Sequence, residues 1–219
     1  MAFFLMKDNT TSKEKMLKKV RKALLERRDN PYPNLEDQPL YEPPADDEIL
    51  EVIFAEEFIA AAGQFMFCED EIQFIESLLN LAEERNWHKI YCWEPQLQKI
   101  LDLYGYPFYE TDKDFEQAEV GFTLCDALVA RNGSIMLSNA SMAGRRLSIY
   151  PSVHIVLAYT SQLVLDLKDG FKLINEKYSR RLPSMITTIT GPSRTADIEK
   201  TLVLGAHGPK ELFVFLLDG

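Results

Sequence analysis

The residues best placed to do chemistry lie in one stretch, Thr190-Gly-Pro-Ser-Arg-Thr-Ala-Asp-Ile-Glu199, followed by Leu202-Val-Leu-Gly-Ala-His-Gly-Pro209. The Gly191-Pro192 turn delivers Ser193 or Thr195 as the N-cap of a short helix. Unpaired amides at that helix start, two hydroxyls and the Arg194 guanidinium converge where the helix dipole favours negative charge, so a carboxylate or phosphate would fit. Taken alone, Ser193 or Thr195 capping a helix and Asp197 complementing its dipole need no ligand, and Arg194 is what tilts the stretch toward binding. His207 stands among Gly205, Ala206, Gly208 and Pro209, at the opposite end of the same helix from Ser193. A loop histidine can contact a ligand or carry a proton near neutral pH, and it equally often donates one hydrogen bond to backbone and does nothing more.

The candidate ligand-binding set is therefore Gly191, Ser193, Arg194, Thr195, Asp197, His207 and Gly208, with Arg145 added from a glycine-led loop. Arg145 and Arg146 could clamp an acid, although paired arginines commonly stand solvated. His207 is the one catalytic candidate, and the catalytic residue is otherwise unassigned. His154, opening an apolar strand after Pro151-Ser152-Val153, reads as a satisfied buried histidine, and His88 beside Trp87 as structural.

The elements that must hold these residues alternate. From Asp46 a helix runs through about Ala62, then an apolar segment from Gln64 to Cys68 and a helix from Glu69 to Asn86. A short strand from Lys89 to Trp93, a proline-started helix from Pro95 to Leu103 and a short strand near Pro107 to Tyr109 continue a rhythm that predicts a mostly parallel sheet flanked by helices, the α/β class. Asp126 to Arg131 and Ser134 to Leu137 flank Asn132-Gly133, the dipeptide of a type I′ hairpin turn. Strands from His154 to Tyr159 and Met185 to Thr190, a helix from Gln162 to Tyr178 weakened by Gly170, and a last strand from Leu212 to Leu217 complete the pattern. Ahead of this body, residues 1–45 hold an amphipathic helix and a linker. Met16, Leu17, Val20, Leu24 and Leu25 share one helical face within Thr11 to Arg28, and Pro31, Pro33, Pro39, Pro43 and Pro44 follow. The division is thus an arm, 1–45, and an α/β domain, 46–219.

Charge narrows the function. The net charge is −10, yet residues 1 to 30 carry nine Lys/Arg against four Asp/Glu, leaving 15 basic and 30 acidic residues in the rest. An acidic body opposes nonspecific nucleic-acid binding, whose affinity comes from phosphate neutralisation. No apolar stretch approaches a membrane span, and the apolar start from Met1 to Met6 is too short for a signal-peptide core. Cys68, Cys92 and Cys125 are widely separated within apolar runs, which suits buried thiols in the cytoplasm and provides neither an iron–sulfur nor a zinc spacing. No metal or cofactor is expected in this chain. The arm's apolar face suits docking on its own body or on a second copy, a homodimer through the N-terminal helix.

The strings Gly191 to Glu199 and Gly205 to Pro209 together resemble the C-terminal signature of the lactate-utilization LUD-domain family. The run from Gly121-Phe-Thr through Asn132-Gly-Ser134, then Gly144-Arg145, Pro151 and His154-Ile-Val156, follows the same pattern in the same order. The resemblance implies a Rossmann-like α/β fold of the class shared with ribose-phosphate isomerase, glucosamine-phosphate deaminase, CoA transferases and folate cyclo-ligases. It also implies a part in oxidising L-lactate to pyruvate, together with iron–sulfur partner subunits that carry the clusters. One departure stands out: the family commonly has Glu-Thr-Gly-Thr at the hairpin, where this chain has Arg131-Asn-Gly-Ser134. Acyl transfer through a glutamate is unsupported there, and a basic residue could instead add positive charge to an anion pocket or face solvent. The expectation is a noncatalytic, small-anion-binding or assembly component of a lactate oxidation system. The alternative is a stand-alone enzyme acting on a phosphorylated or folate-type small molecule, for which neither a Walker A loop nor GxGxxG is present.

Overall fold

The structure is a computed structural model, and it describes residues 11–25, 49–143, 146–179, 181–195 and 203–219. The chain divides into two compact units, residues 1–45 and 46–219. In the first, helix α1 (Ser12–Leu25) starts from a reciprocal cap: the Thr11 amide donates to Glu14 Oε2 at 2.8 Å and Thr11 Oγ1 accepts from the Glu14 amide. The proline-rich segment lies outside the described residues.

In the second unit, helix α2 (Leu50–Ala60) leads through Gly63 into β1 (Gln64–Cys68). Helix α3 (Glu71–Arg85) is capped by Asp70, whose side chain accepts from the Gln73 amide, and ends on Asn86 at φ 55°, a conformation asparagine tolerates. Strand β2 (Ile90–Cys92) and helix α4 (Pro95–Leu103), with proline in its first turn, follow. The segment near Tyr109 makes a single parallel bridge to Tyr91 rather than a strand. The chain continues with β3 (Val120–Leu124), β4 (Ala127–Val129), β5 (Ser134–Ser138), β6 (Val153–Tyr159) and β7 (Leu163–Val164). Helix α5 (Leu167–Lys177), β8 (Ile186–Ile189), β9 (Arg194–Thr195), β10 (Val203–Leu204) and β11 (Glu211–Leu217) complete it.

Five strands form a wholly parallel sheet in the order β1-β11-β6-β3-β2. Such a sheet must be buried on both faces, and its central strands are correspondingly apolar on both. Alternation splits β6 and β11 between two cores: Val153, Ile155, Leu157, Phe213, Phe215 and Leu217 face α3 and α4, whereas Val156, Ala158, Leu212, Val214 and Leu216 face the other way. That second face is covered by Phe54 and Phe58 of α2, stacked 5.3 Å apart, and by a further sheet that the sequence reading did not anticipate as a layer. Its order is β7-β4-β5-β8, with β5 antiparallel to both β4 and β8, and α5 packs on its outer side through Ile174. The expected α/β class with a mostly parallel central sheet flanked by helices is what the chain adopts.

The hairpin β4–β5 forms where Asn132-Gly133 predicted one, with a different turn. Ala130–Asn132 make a short 3-10 turn, and Gly133 alone takes positive φ, 56°. The helix expected from Gln162 starts later, because Leu163 and Val164 pair with β4 as β7.

Candidate functional site

In a parallel sheet, loops at the carboxyl ends of the strands converge on one edge. Here β2 and its neighbour β3 are each followed, two residues beyond their last residue, by a carboxylate: Glu94 after Cys92 and Asp126 after Leu124. Both are buried, at 5% and 7% exposure. Glu94 Oε2 accepts from the Leu124 amide at 2.5 Å and Glu94 also bonds the Ser141 side chain. Burial nevertheless pushes its carboxyl above the usual range, the hydrogen bonds opposing only in part. Asp126 Oδ1 accepts from Lys177 Nζ at 2.7 Å and from the Tyr178 hydroxyl at 2.9 Å, both at the end of α5. These residues line a half-open cavity of about 420 Å³, with Ser138 at the end of β5 on its wall and Leu124, Leu137 and Met142 as its apolar sides. That volume falls in the range of small-molecule sites.

Sequence reasoning missed this constellation. Its members come from residues 94, 126, 138, 141 and 177, which sheet pairing alone brings together. Only Glu94 stands just past a predicted strand; the sequence reading places Asp126 first in a hairpin strand and does not foresee the strand that ends at Leu124.

The sequence-predicted stretch is arranged differently from expectation. Arg194 and Thr195 are extended and pair with Leu204 and Val203, so Ser193 is not a helix N-cap; Ala196 to Leu202, Asp197 among them, lie outside the described residues. Val203 and Leu204 pair antiparallel with Thr195 and Arg194, which sets the His207 loop beside Ser193. The Ser193 amide donates to Pro209 O at 2.8 Å, the Gly205 amide donates to Ser193 O at 2.9 Å, and a Cβ on Gly208 would stand 3.1 Å from Ser193 Cβ. His207 itself is exposed on that loop. Arg145 lies outside the described residues.

Thr190 to Arg194 and Ala61 line a second, more open cavity of about 430 Å³. The Arg194 guanidinium donates to Ala61 O, just past the last residue of α2. The loop thus meets the carboxyl end of a helix rather than an amino end, and the cation complements the free carbonyls there. Gly191, at φ 72°, lets the chain pass: a Cβ would lie 2.1 Å from Ala61 O. Thr190 Oγ1 and Ser134 Oγ are 2.6 Å apart, joining the loop to the start of β5.

Arg131, at the departure from the family's hairpin, is paired with Asp166, Nε to Oδ1 at 2.5 Å and a second nitrogen to Oδ2 at 3.3 Å. His88 and Lys89 give their amides to Glu119 Oε2. His154 is buried as expected, but only one ring nitrogen is satisfied: Nε2 lies 2.9 Å from Thr123 Oγ1, and Nδ1 has no partner.

A wholly parallel five-stranded sheet, with a mainly apolar cavity beside its carboxyl edge that also carries Glu94, Asp126 and Lys177, is an α/β arrangement of the kind in which ligands bind at that edge. The LUD domain family profile matches residues 53–217, and the chain belongs to the LUD domain family. It is similar to proteins named lactate utilization protein C. That of Anoxybacillus flavithermus is 38% identical over 104 residues, 47% of this chain and 46% of the relative. That of Bacillus subtilis is 34% identical over 125 residues, 52% of each, and that of Geobacillus kaustophilus 35% identical over 167 residues, 73% of this chain and 65% of the relative. The chain spans about half the length of the first two. Among solved structures, a DUF162 family protein from Deinococcus radiodurans shares the fold with a TM-score of 0.56 at 16% identity, over 77% of this chain and 96% of that one. No helix among the described residues is long and apolar enough to cross a membrane.

Proposed function

We propose that this chain is a cytoplasmic component of a lactate utilization system, supporting the oxidation of L-lactate to pyruvate alongside iron–sulfur partner subunits. The observation that carries the reading is the family match over residues 53–217, joined to relatives named for lactate utilization at 34–38% identity. The chain's own role is to hold a small anion, or an acidic segment of a partner, in the cavity of Thr190 to Arg194. Arg194 spends one donor on Ala61 O, and a guanidinium has four N–H groups beyond that. Gly191, Ser193 and Thr195 shape the loop, and Gly208 and His207 stand on the strand return beside it. Asp197 and Arg145 complete the proposed ligand set, and helix α1 is the surface for self-association.

The test is L-lactate-dependent dye reduction in native-host extracts with and without the gene product, restored by wild type or by Arg194→Ala. Loss of activity, recovered by wild type alone, supports both the pathway and the loop; untouched activity rejects the pathway. On the purified chain, Arg194→Ala should weaken binding of a small carboxylate by about 1.5 to 3 kcal/mol, the worth of a charged hydrogen bond. Unchanged affinity, read by titration calorimetry, would leave Arg194 only the task of holding the end of α2.

A further inference from the structure

A residue in the wall of the carboxyl-edge cavity carries a hydroxyl with nothing to bind. Ser138 is 3% exposed, its Oγ has no hydrogen-bond partner, and it lies on the wall of the same cavity as Glu94 and Asp126. Buried hydroxyls are ordinarily paired, because leaving one unmade sacrifices its hydration without return. The neighbouring groups are already committed or are acceptors. Lys177 Nζ and the Tyr178 hydroxyl both go to Asp126 Oδ1, leaving Asp126 Oδ2 as an acceptor, and Glu94 supplies carboxylate oxygens beside it.

That inventory selects a ligand. An anion would enter a site with two buried carboxylates whose nearest ammonium, Lys177, is already paired, and would meet repulsion in a medium that screens poorly. A metal ion is disfavoured too, since no group of three or more His, Cys, Asp or Glu able to hold one occurs among the described residues. A neutral molecule bearing several hydroxyls meets every requirement: O–H groups donate to Asp126 and Glu94, and a hydroxyl oxygen accepts from Ser138. Its C–H face packs on Leu124, Leu137 and Met142.

We propose that the cavity bounded by Glu94, Asp126, Ser138 and Lys177 is a binding site for a neutral, hydroxyl-rich small molecule of polyol or sugar type. The site is distinct from the Arg194 loop and does not depend on the lactate assignment.

Saturation-transfer NMR on the full chain, with xylitol as the probe and L-lactate as competitor, tests this directly. Xylitol should receive magnetisation from the protein and L-lactate should not displace it. Ser138→Ala removes a hydroxyl that bonds nothing in the free protein, so its melting temperature should equal or exceed that of wild type while xylitol affinity falls about tenfold. Ala140→Phe, at an exposed position on the cavity wall, should fill the mouth and abolish transfer without unfolding the chain. Absence of transfer to xylitol, displacement by L-lactate, or full affinity in both variants would overturn the proposal.

Discussion

At the scale of single residues, His154 is where folding costs something. Burial holds its imidazole down to about 3, so it stays neutral in the folded chain, whereas the unfolded chain takes up a proton near the ordinary value of about 6.5. Between those two values the unfolded state binds more protons, so stability is intact above pH 6.5 and is lost as pH falls toward 3, at up to about 1.4 kcal/mol per pH unit. Replacing the imidazole by an amide that cannot titrate, His154→Gln, should flatten that slope. Urea unfolding of both proteins at pH 7.5 and pH 5 checks it: wild type should lose distinctly more stability between the two than the variant. Equal losses would mean that the histidine has access to water or to an acceptor for its second nitrogen. Glu94 works with the opposite sign. Its carboxyl is raised by burial, so its share of stability is greatest where it is protonated and declines as pH rises through its folded value. The two groups partly offset each other on the acid side, which is why the comparison is made between wild type and variant and not on wild type alone.

At the scale of elements, the turn between β4 and β5 explains both what could be read ahead and what could not. Asn132-Gly133 correctly marks a hairpin, since glycine is what a reversal at positive φ needs. The turn type depends on α2, which no local pattern reveals: a Cβ on Gly133 would stand 2.4 Å from Phe58 N and 2.6 Å from Glu57 C. Gly133→Ala should therefore cost the roughly 1–2 kcal/mol of left-handed backbone strain and a steric term besides. Gly105→Ala isolates the first contribution, because Gly105 has φ 67° and nothing within 4 Å of a new Cβ. The melting temperature should drop clearly further for Gly133→Ala than for Gly105→Ala, and equal drops would deny the close approach of α2. The same contrast separates the rest of the reading. Strands β1, β2, β6, β8 and β11 and helices α3 and α4 were legible because periodicity and caps are local. Ser193 was misread as a helix N-cap because the state of Arg194 and Thr195 is set by pairing with Val203 and Leu204, a pairing that the β-branched Thr195 and Val203 suit well. Glu94, Asp126 and Lys177 were passed over for a related reason: each is unremarkable in its own segment, and only the sheet order makes them neighbours.

At the scale of the whole molecule, the alternating faces of β6 and β11 tie the two cores of the 46–219 unit into one structure. Each strand contributes to the core under α3 and α4 and to the core under α2 and the second sheet, so neither can melt while the other keeps its strands. The three cysteines report on this independently. Cys68 and Cys92 belong to the first core and Cys125 to the second, and all three are buried with free thiols. Burial raises each thiol, that of Cys92 to about 12, so thiolate is scarce in the folded chain and access is closed as well. Alkylation therefore requires opening of the surrounding core. A brief pulse of iodoacetamide across a urea series, read peptide by peptide by mass spectrometry, should find all three protected in the native state and exposed with one common midpoint. Reaction of Cys125 at lower urea than Cys68 and Cys92 would show that the layer of α2 and the second sheet separates first. The shared strands would then be holding the parallel sheet against α3 and α4 alone, and the cavity between Glu94 and Ser138, which spans both layers, would be lost at that first step.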